Sequence, residues 1–328
     1  MNKKQFELAV VIINYKTPQL VIDCLDSLRS ELPALNTKVV VVDNASNDNS
    51  CELIQEWINK QTLSDHVSLL PSMDNTGFSG GNNLGIRYID AEYYLLLNSD
   101  TLVREGAISS LLEAARDDSS VGLVSPRLEW PDATPQESCF RFHSPISELI
   151  LSSNTGLITQ LFNSFNVPYP ISDNVGFYDW TSFACVLVRA DVFKDIGLMD
   201  DGYFMYFEDV AFSYHAKQAG WKVLNFPAAR VVHLRGGSSS VKSRTLLRKR
   251  LPRYYFESRT RYFYQVYGHI GLFWANILWT VGHGVALLRR CLSSAFVPTA
   301  SAFQWRDIWI NFFAPLKAYI HPDNYDKT

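Results

Sequence analysis

Three carboxylates and one histidine stand where they could do chemistry. Asp100 closes Asn98-Ser99-Asp100 directly after the apolar run Tyr94-Leu95-Leu96-Leu97, which puts an oxygen ligand at a strand end. A hard divalent cation, Mg²⁺ or Mn²⁺, suits oxygen donors and commonly takes one or two carboxylates plus substrate phosphates. One aspartate is too few, and His233, closing the strand-like Val231-Val232, is the best second ligand, although a lone histidine is more often structural. The following Gly236-Gly237-Ser238-Ser239-Ser240 offers backbone N–H and hydroxyl donors that could fold over a diphosphate. Glu208-Asp209 opens a helix after Tyr203-Phe204-Met205-Tyr206-Phe207. Acidic residues are favoured in any first helical turn, but an aromatic surround would also raise a carboxyl pKa toward that of a useful base. Asp209 is the candidate base, and Glu208 would orient an acceptor or brace the loop.

Further polar residues follow strand-like runs. Asn14, Asp43-Asn44, Asn75-Thr76-Gly77 and Asn98-Ser99-Asp100 would line one rim, where ligands of parallel sheets bind, although each residue type also makes turns. Asp43 could accept hydrogen bonds from a nucleobase or ribose, or cap the turn Asp43-Asn44-Ala45-Ser46. The stretch Asn75 to Asn83, with Gly77, Gly80, Gly81 and Asn82, is a glycine-rich turn leading into a helix, suited to close approach of backbone to a nucleotide or phosphate. It is neither GxGxxG nor a P-loop, lacking the lysine of the latter.

The elements that must position these residues alternate. Strand-like runs at Leu8 to Ile13, Lys38 to Val42, Val67 to Leu70, Tyr93 to Leu97 and Val121 to Val124 are separated by helical patterns at Pro18 to Glu31, Asn49 to Lys60, Gly80 to Ile89 and Glu105 to Arg116. This is the rhythm of an α/β fold, a mainly parallel sheet flanked by helices. Residues 127–176 are irregular and proline-interrupted, with a helical stretch from Ser147 to Phe162, and read as a binding insertion. Regular structure resumes with Tyr178 to Arg189, helices at Ala190 to Ile196 and Asp209 to Ala219, and strands at Trp221 to Phe226 and Arg230 to His233. Two domains are expected: 1–240, carrying the sheet, and a helical, aromatic-rich C-terminal extension, 241–328.

The net charge of −3 calls for no nucleic-acid partner, and the sequence leaves self-association open. Locally, Lys242 to Arg261 carries eight Lys or Arg against Glu257 alone, and Tyr262 to Leu288 then contains no Lys, Arg, Asp or Glu. That stretch is long enough to span a bilayer, yet Gln265, His269, Asn276, His283 and four glycines make it a poor spanning helix. An interfacial helix pair, with Trp274 and Trp279 at headgroup depth and the arginines on an anionic membrane surface, accounts for more of it. The alternative is an aromatic lobe packed on the main domain. Five scattered cysteines without a CxxC pair fit a reducing compartment, and Met1 to Glu7 do not resemble a signal peptide. The expected location is cytoplasmic, peripheral at the inner face of the cytoplasmic membrane.

Taken together, Val10 to Tyr15, Val41 to Ser46, Asn75 to Asn83, Leu97 to Asp100 and Phe204 to Val210 resemble, in order, the motifs of family 2 glycosyltransferases of GT-A fold, especially a rhamnosyltransferase-like branch. The likeness runs from about Leu8 to Ser240. It implies a metal-dependent, inverting hexosyltransferase that takes a sugar from a nucleotide diphosphate donor, rhamnose from dTDP-rhamnose or a hexose from a UDP-sugar. The implied acceptor is a saccharide or lipid-linked saccharide in cell-surface polysaccharide biosynthesis. By the same likeness, Asp43 contacts the nucleotide, Asp100 and His233 hold the metal, Asp209 is the base, and Asp179 and Trp180 form an acceptor wall with Trp180 as sugar platform; Asn14, Asn75, Gly77, Gly80, Asn82 and Ser99, from the same rim and glycine-rich turn, are the further candidates for binding the nucleotide. Asn98 replaces the first Asp of the family's DXD pattern, which raises the importance of His233. Two other classes share some of these features. A nucleotidyltransferase needs a Gly-rich basic N-terminal loop, where Asn14-Tyr15-Lys16-Thr17-Pro18 offers one lysine and no glycine; a non-catalytic carbohydrate-binding protein has no need of Asp100, Asp209 and His233 together.

Overall fold

The computed structural model describes residues 4–32, 36–61, 65–235, 241–293 and 295–327. Two compact units emerge, one of residues 1–140, 170–201 and 212–238, the other of 141–169, 202–211 and 239–328. Much of the expected insertion, and the segment leading to Asp209, thus cluster with the C-terminal region rather than with the sheet.

In chain order the elements are β1 (Phe6–Asn14), α1 (Pro18–Leu28), β2 (Thr37–Asp43), α2 (Ser50–Lys60), β3 (Val67–Pro71), α3 (Gly77–Tyr88), β4 (Ala91–Asn98), β5 (Thr101–Val103), α4 (Ala107–Asp117), β6 (Val121–Glu129) and β7 (Cys139–Phe140). There follow α5 (Pro145–Ser153), α6 (Gly156–Leu161), β8 (Gly176–Tyr178), β9 (Trp180–Thr181), β10 (Cys185–Arg189), α7 (Ala190–Ile196), α8 (Glu208–Gln218), β11 (Lys222–His233), α9 (Val241–Leu246), α10 (Arg253–Leu292) and α11 (Gln304–Asp307).

The first unit is a nine-stranded mixed sheet in the order β3-β2-β1-β4-β10-β6-β11-β5, with β8 added on β11. Strands β1 to β4 pair in parallel, as do β6 and β11, while β10 and β5 run antiparallel to their neighbours. Period-2 alternation sorts the core into two layers. Leu8, Val10 and Ile12 pack with Val21, Leu25 and Leu28 of α1 and Leu111 and Leu112 of α4, whereas Ala9 and Val11 pack with Ile86 of α3 and Phe212 and Ala216 of α8. Gly85 lets α3 close on that second layer, because a Cβ there would meet Val11 Cγ1 at 2.4 Å.

Three stretches differ from expectation. Lys222 to His233 is one strand with a register shift between Phe226 and Arg230, so the two strands expected over Trp221 to Phe226 and Arg230 to His233 are joined by a bulge. Tyr178 to Arg189 is divided among β8, β9 and β10. The helix expected over 147–162 is two, broken at Asn154, which adopts φ 44° at the C-terminus of α5.

The second unit is helical around Phe204, Tyr254, Phe256, Trp279 and Ile308. Helix α10 is interrupted at Gly268 (φ 66°, ψ −173°). Residues 253–267 and 269–292 fold back on each other, since Arg259 and Asn276, on opposite sides of the break, hydrogen-bond at 2.7 Å. The same guanidinium donates to Glu148 Oε2 of α5 through Nε (3.1 Å) and Nη2 (2.8 Å). The basic run is therefore not a lipid-facing or solvated strip throughout. Arg259 is buried on Glu148, Arg250 is bidentate to Asp307, and Arg253 pairs with Glu257. Trp279 is likewise no headgroup anchor, being 1% exposed and stacked on His283.

Removing one partner of a buried pair strands the other charge. Glu148→Ala should lower unfolding stability by about 3–5 kcal/mol, read from the midpoint of urea denaturation; a loss well under 1 kcal/mol would show that water reaches Arg259.

Candidate active site

Parallel pairing of β1 and β2 places Asn14 opposite Asp43 at the carboxyl edge of the sheet. Asp43 Oδ1 accepts from Asn14 Nδ2 and Ser46 Oγ, each at 2.6 Å, and Oδ2 accepts the Ser46 N–H at 3.1 Å. Asn14 Oδ1 in turn takes the Thr17 N–H. Asn14 is completely buried, so it aims Asp43 rather than touching a nucleotide.

A second network fixes the next turn. Asn44 Oδ1 accepts from the Thr76 N–H and Oγ1, while its Nδ2 donates to Asn75 Oδ1 (3.0 Å) and the Gly77 carbonyl (2.9 Å). Asn75 also accepts the Gly77 N–H, and Gly77 has φ 69°. Asn44 is thus a positioning residue that its place beside Asp43 signalled only weakly. The glycine-rich run proves to be helix from Gly77 onward. Gly80 is required by packing, since its Cβ would stand 2.4 Å from Thr76 Cβ, and buried Asn82 donates within the helix to the Phe78 carbonyl. Both residues therefore support the rim from within the helix. Asn83, also buried, was missed: it exchanges hydrogen bonds with the Met199 backbone and donates to Asp201, tying α3 to the loop after α7.

The widest separation in sequence is closed between β5 and β11. Antiparallel pairing sets His233 opposite Thr101, and the Leu234 N–H binds the Asp100 carbonyl at 2.9 Å. His233 Nε2 then lies 3.5 Å from Asp100 Oδ1, with both side chains largely buried beside buried Ser99. Neighbouring ligands on an octahedral ion with bonds of about 2.1 Å are about 3 Å apart, so the pair fits two positions on one cation. His233 Nδ1 is buried and has no hydrogen-bond partner among the described residues, which leaves the orientation of the ring to its other nitrogen. Among the described residues no cluster of three or more metal-ligating side chains occurs, so remaining positions would fall to phosphates and water. The Gly236 to Ser240 run lies outside the described residues.

The acceptor-side residues are more constrained than expected. Asp179 is paired with Lys217 at 2.6 Å. Trp180 is buried, with one face stacked on Phe140 at 4.3 Å, so it is not an exposed sugar platform.

In the second unit, Tyr206 and Phe207 are both left-handed (φ 72° and 65°), an uncommon backbone for aromatic residues that turns the chain sharply into α8. Glu208 and Asp209 form the first turn. Glu208 is buried, its Oε2 has no hydrogen-bond partner among the described residues, and burial, followed by the Asp209 charge, pushes its carboxyl well above the usual range. Burial therefore acts on Glu208, the neighbour of the expected base, and favours its neutral form.

A mostly parallel sheet flanked by helices, with Asp43 and the Asp100–His233 pair at its carboxyl edge, has the architecture of the GT-A fold. Residues 9–169 match the glycosyl transferase family 2 model, and the chain carries a family 2 glycosyltransferase domain. It is 27% identical over 281 residues to the N-acetylglucosaminyl-diphospho-decaprenol L-rhamnosyltransferase of Mycobacterium tuberculosis, covering 80% of this chain and 84% of that one. It is also 27% identical over 231 residues to the low-salt glycan biosynthesis hexosyltransferase Agl10 of Haloferax volcanii, covering 69% and 67%. Among solved structures, the mannosyltransferase PcManGT of Pyrobaculum calidifontis with GDP-Man and Mn²⁺ aligns with TM-score 0.52 at 15% identity over 99% of this chain and 88% of that one. GalNAc-T7 with UDP, GalNAc and Mn²⁺ aligns with TM-score 0.57 at 14% identity, covering 95% of this chain and 55% of that one.

Asp100→Ala should weaken Mn²⁺-dependent binding of a nucleoside diphosphate by about 100-fold, at the upper end of what loss of a ligand's supporting partner costs, while metal-free binding stays the same. Calorimetric titration with and without Mn²⁺ reads both; an unchanged metal dependence would remove Asp100 from the site.

Proposed function

We propose that this glycosyltransferase moves a sugar, rhamnose from dTDP-rhamnose or a hexose from a UDP-sugar, onto a saccharide or lipid-linked saccharide acceptor, with inversion and with a divalent cation. The observation that carries the reading is the meeting of Asp100 and His233 at 3.5 Å on the sheet edge that also presents Asp43. The relatives named above, a rhamnosyltransferase and a hexosyltransferase, support the sugar class. A lipid-linked acceptor places the enzyme at the cytoplasmic face of the membrane.

In this reading Asp43 receives hydrogen bonds from the nucleoside. Asp100 and His233 would hold the cation, which would supply positive charge to stabilise a leaving diphosphate. Asp209 takes the proton of the acceptor hydroxyl, the acceptor oxygen forms its bond to the anomeric carbon, and the bond to the diphosphate oxygen breaks on the opposite face, so configuration inverts. The nucleoside diphosphate leaves with that electron pair. Glu208, whose carboxyl is raised well above the usual range by burial and then by the Asp209 charge, would orient the acceptor or brace the loop.

Incubation with Mn²⁺ and a panel of nucleotide sugars should release nucleoside diphosphate; release of pyrophosphate would instead indicate a nucleotidyltransferase. Asp209→Asn keeps the shape of the side chain and removes its basicity, so transfer should fall by about 10²–10⁴-fold, the usual contribution of a positioned base, with donor binding retained. Transfer by this variant at close to the wild-type rate would exclude Asp209 as the base.

A further inference from the structure

Helical residues 269–292 are apolar on two faces, and the second unit covers only one. Leu272, Ala275, Asn276, Trp279, Gly282 and Ala286 face inward. Gly282 permits contact with α5 so close that a Cβ would fall 2.1 Å from Ser152 Oγ. On the other side Ile270, Phe273, Trp274, Val281 and Leu288 follow helical spacing, and Ile270 and Leu288 are 76% and 66% exposed. A helix apolar all round belongs in a core or in lipid, and contiguous exposed apolar surface marks an interaction site.

The stripe does not stop at the helix ends. At its start, Trp309 lies edge-on to Phe273 and Phe312 to His269, next to Phe313, which is 94% exposed. At its far end, Arg289 donates to the carbonyl of Asn154, the residue that ends α5, beyond which Leu157 and Leu161 of α6 stand exposed.

Charge selects the partner. From Ser258 to Arg306 the sequence has no Asp or Glu, and its ionised groups are Arg259, Arg261, Arg289, Arg290 and Arg306. Arg259 is spent on Glu148 and Arg306 pairs with the buried Asp307, whereas Arg290 is exposed. A surface made of apolar side chains, aromatic residues and arginines, without an acidic group, complements an anionic bilayer.

We infer that the outward face of residues 269–292, flanked by Phe313 and by Leu157 and Leu161, is a membrane-docking surface that lies in the plane of an anionic lipid interface. In-plane docking keeps the inward face on α5, with Arg259, Glu148 and Asn276 joined. Spanning would strip that face from α5 and leave the buried charges unpaired. A helix of 24 residues, about 36 Å long at 1.5 Å per residue, gives the surface its length.

This extends the proposed lipid-linked acceptor, but its test needs no substrate. Full-length protein would be floated on sucrose gradients with vesicles of phosphatidylcholine, alone or mixed with phosphatidylglycerol. The expected result is flotation with the mixed vesicles, reduced by high salt. Combined Ile270→Gln, Trp274→Gln and Leu288→Gln should weaken it by on the order of 100-fold, given the apolar area withdrawn from lipid. Arg290→Gln should reduce only the preference for phosphatidylglycerol. Because a triple variant could lose its fold, quenching of Trp274 by brominated lipid, compared between wild type and Trp274→Phe, provides a second measure. Transfer to a water-soluble acceptor should be equal in wild type and triple variant, so lost flotation with retained transfer supports the surface apart from the activity. Absence of flotation overturns the inference, as does flotation indifferent to the triple variant. Resistance to alkaline carbonate extraction would replace it with a spanning helix, and dissociation of a dimer by the triple variant, without change in flotation, with a self-association face.

Discussion

The edge that carries the candidate site depends on the register of β11 against β5. His233 meets Asp100 only because it pairs with Thr101, and a slip of one residue would turn the imidazole to the other face of the sheet. What holds that register is a carboxylate one strand away. Glu129, fully buried near the end of β6, accepts Arg230 Nε and Nη2 at 2.8 and 3.1 Å and Arg104 Nε at 3.1 Å, binding the strands on either side of the β5–β11 seam. The Arg104 N–H to Arg230 carbonyl bond and the Gln136 Nε2 bond to the His233 carbonyl complete the lock. Arg230 alternates with Val231 and points away from the face that carries His233, so the charges that fix the strand do not compete for a bound cation.

The rim around Asp43 is rigid for a related reason. Asn14, Ser46, Asn44 and Asn75 spend most of their hydrogen-bonding capacity on one another and on backbone. Catalytic and binding groups work best when their supporting shell holds them before the ligand arrives. Here that shell is polar and buried, which a turn of exposed residues could not provide.

This division of labour sets what could be read from sequence. Strand ends were legible because a polar residue after an apolar run marks an edge, and so Asp43, Asp100 and His233 could be nominated and the latter two brought together. Which polar residue at an edge faces outward was not legible. Asn14, Gly80 and Asn82 have the residue types of ligands but serve packing and hydrogen bonds that only tertiary neighbours reveal. The basic run failed as a surface signal for the same reason, since the partners of Arg259 and Arg250, Glu148 and Asp307, are remote in sequence. A helix pair was legible over Tyr262 to Leu288, but nothing local showed which of its four glycines makes the break.

That glycine has an outsize geometric effect. With φ 66° and ψ −173°, Gly268 occupies backbone space essentially closed to residues bearing a Cβ. Were it regular, residues 253–292 would make a rod about 60 Å long, twice the roughly 30 Å of a bilayer's hydrocarbon. The elbow instead halves that length and turns two differently composed helices side against side, one rich in hydrogen-bonding tyrosines and arginines, the other apolar. A single substitution of the smallest residue would therefore act on the shape of the whole helical unit, far beyond the atoms it adds.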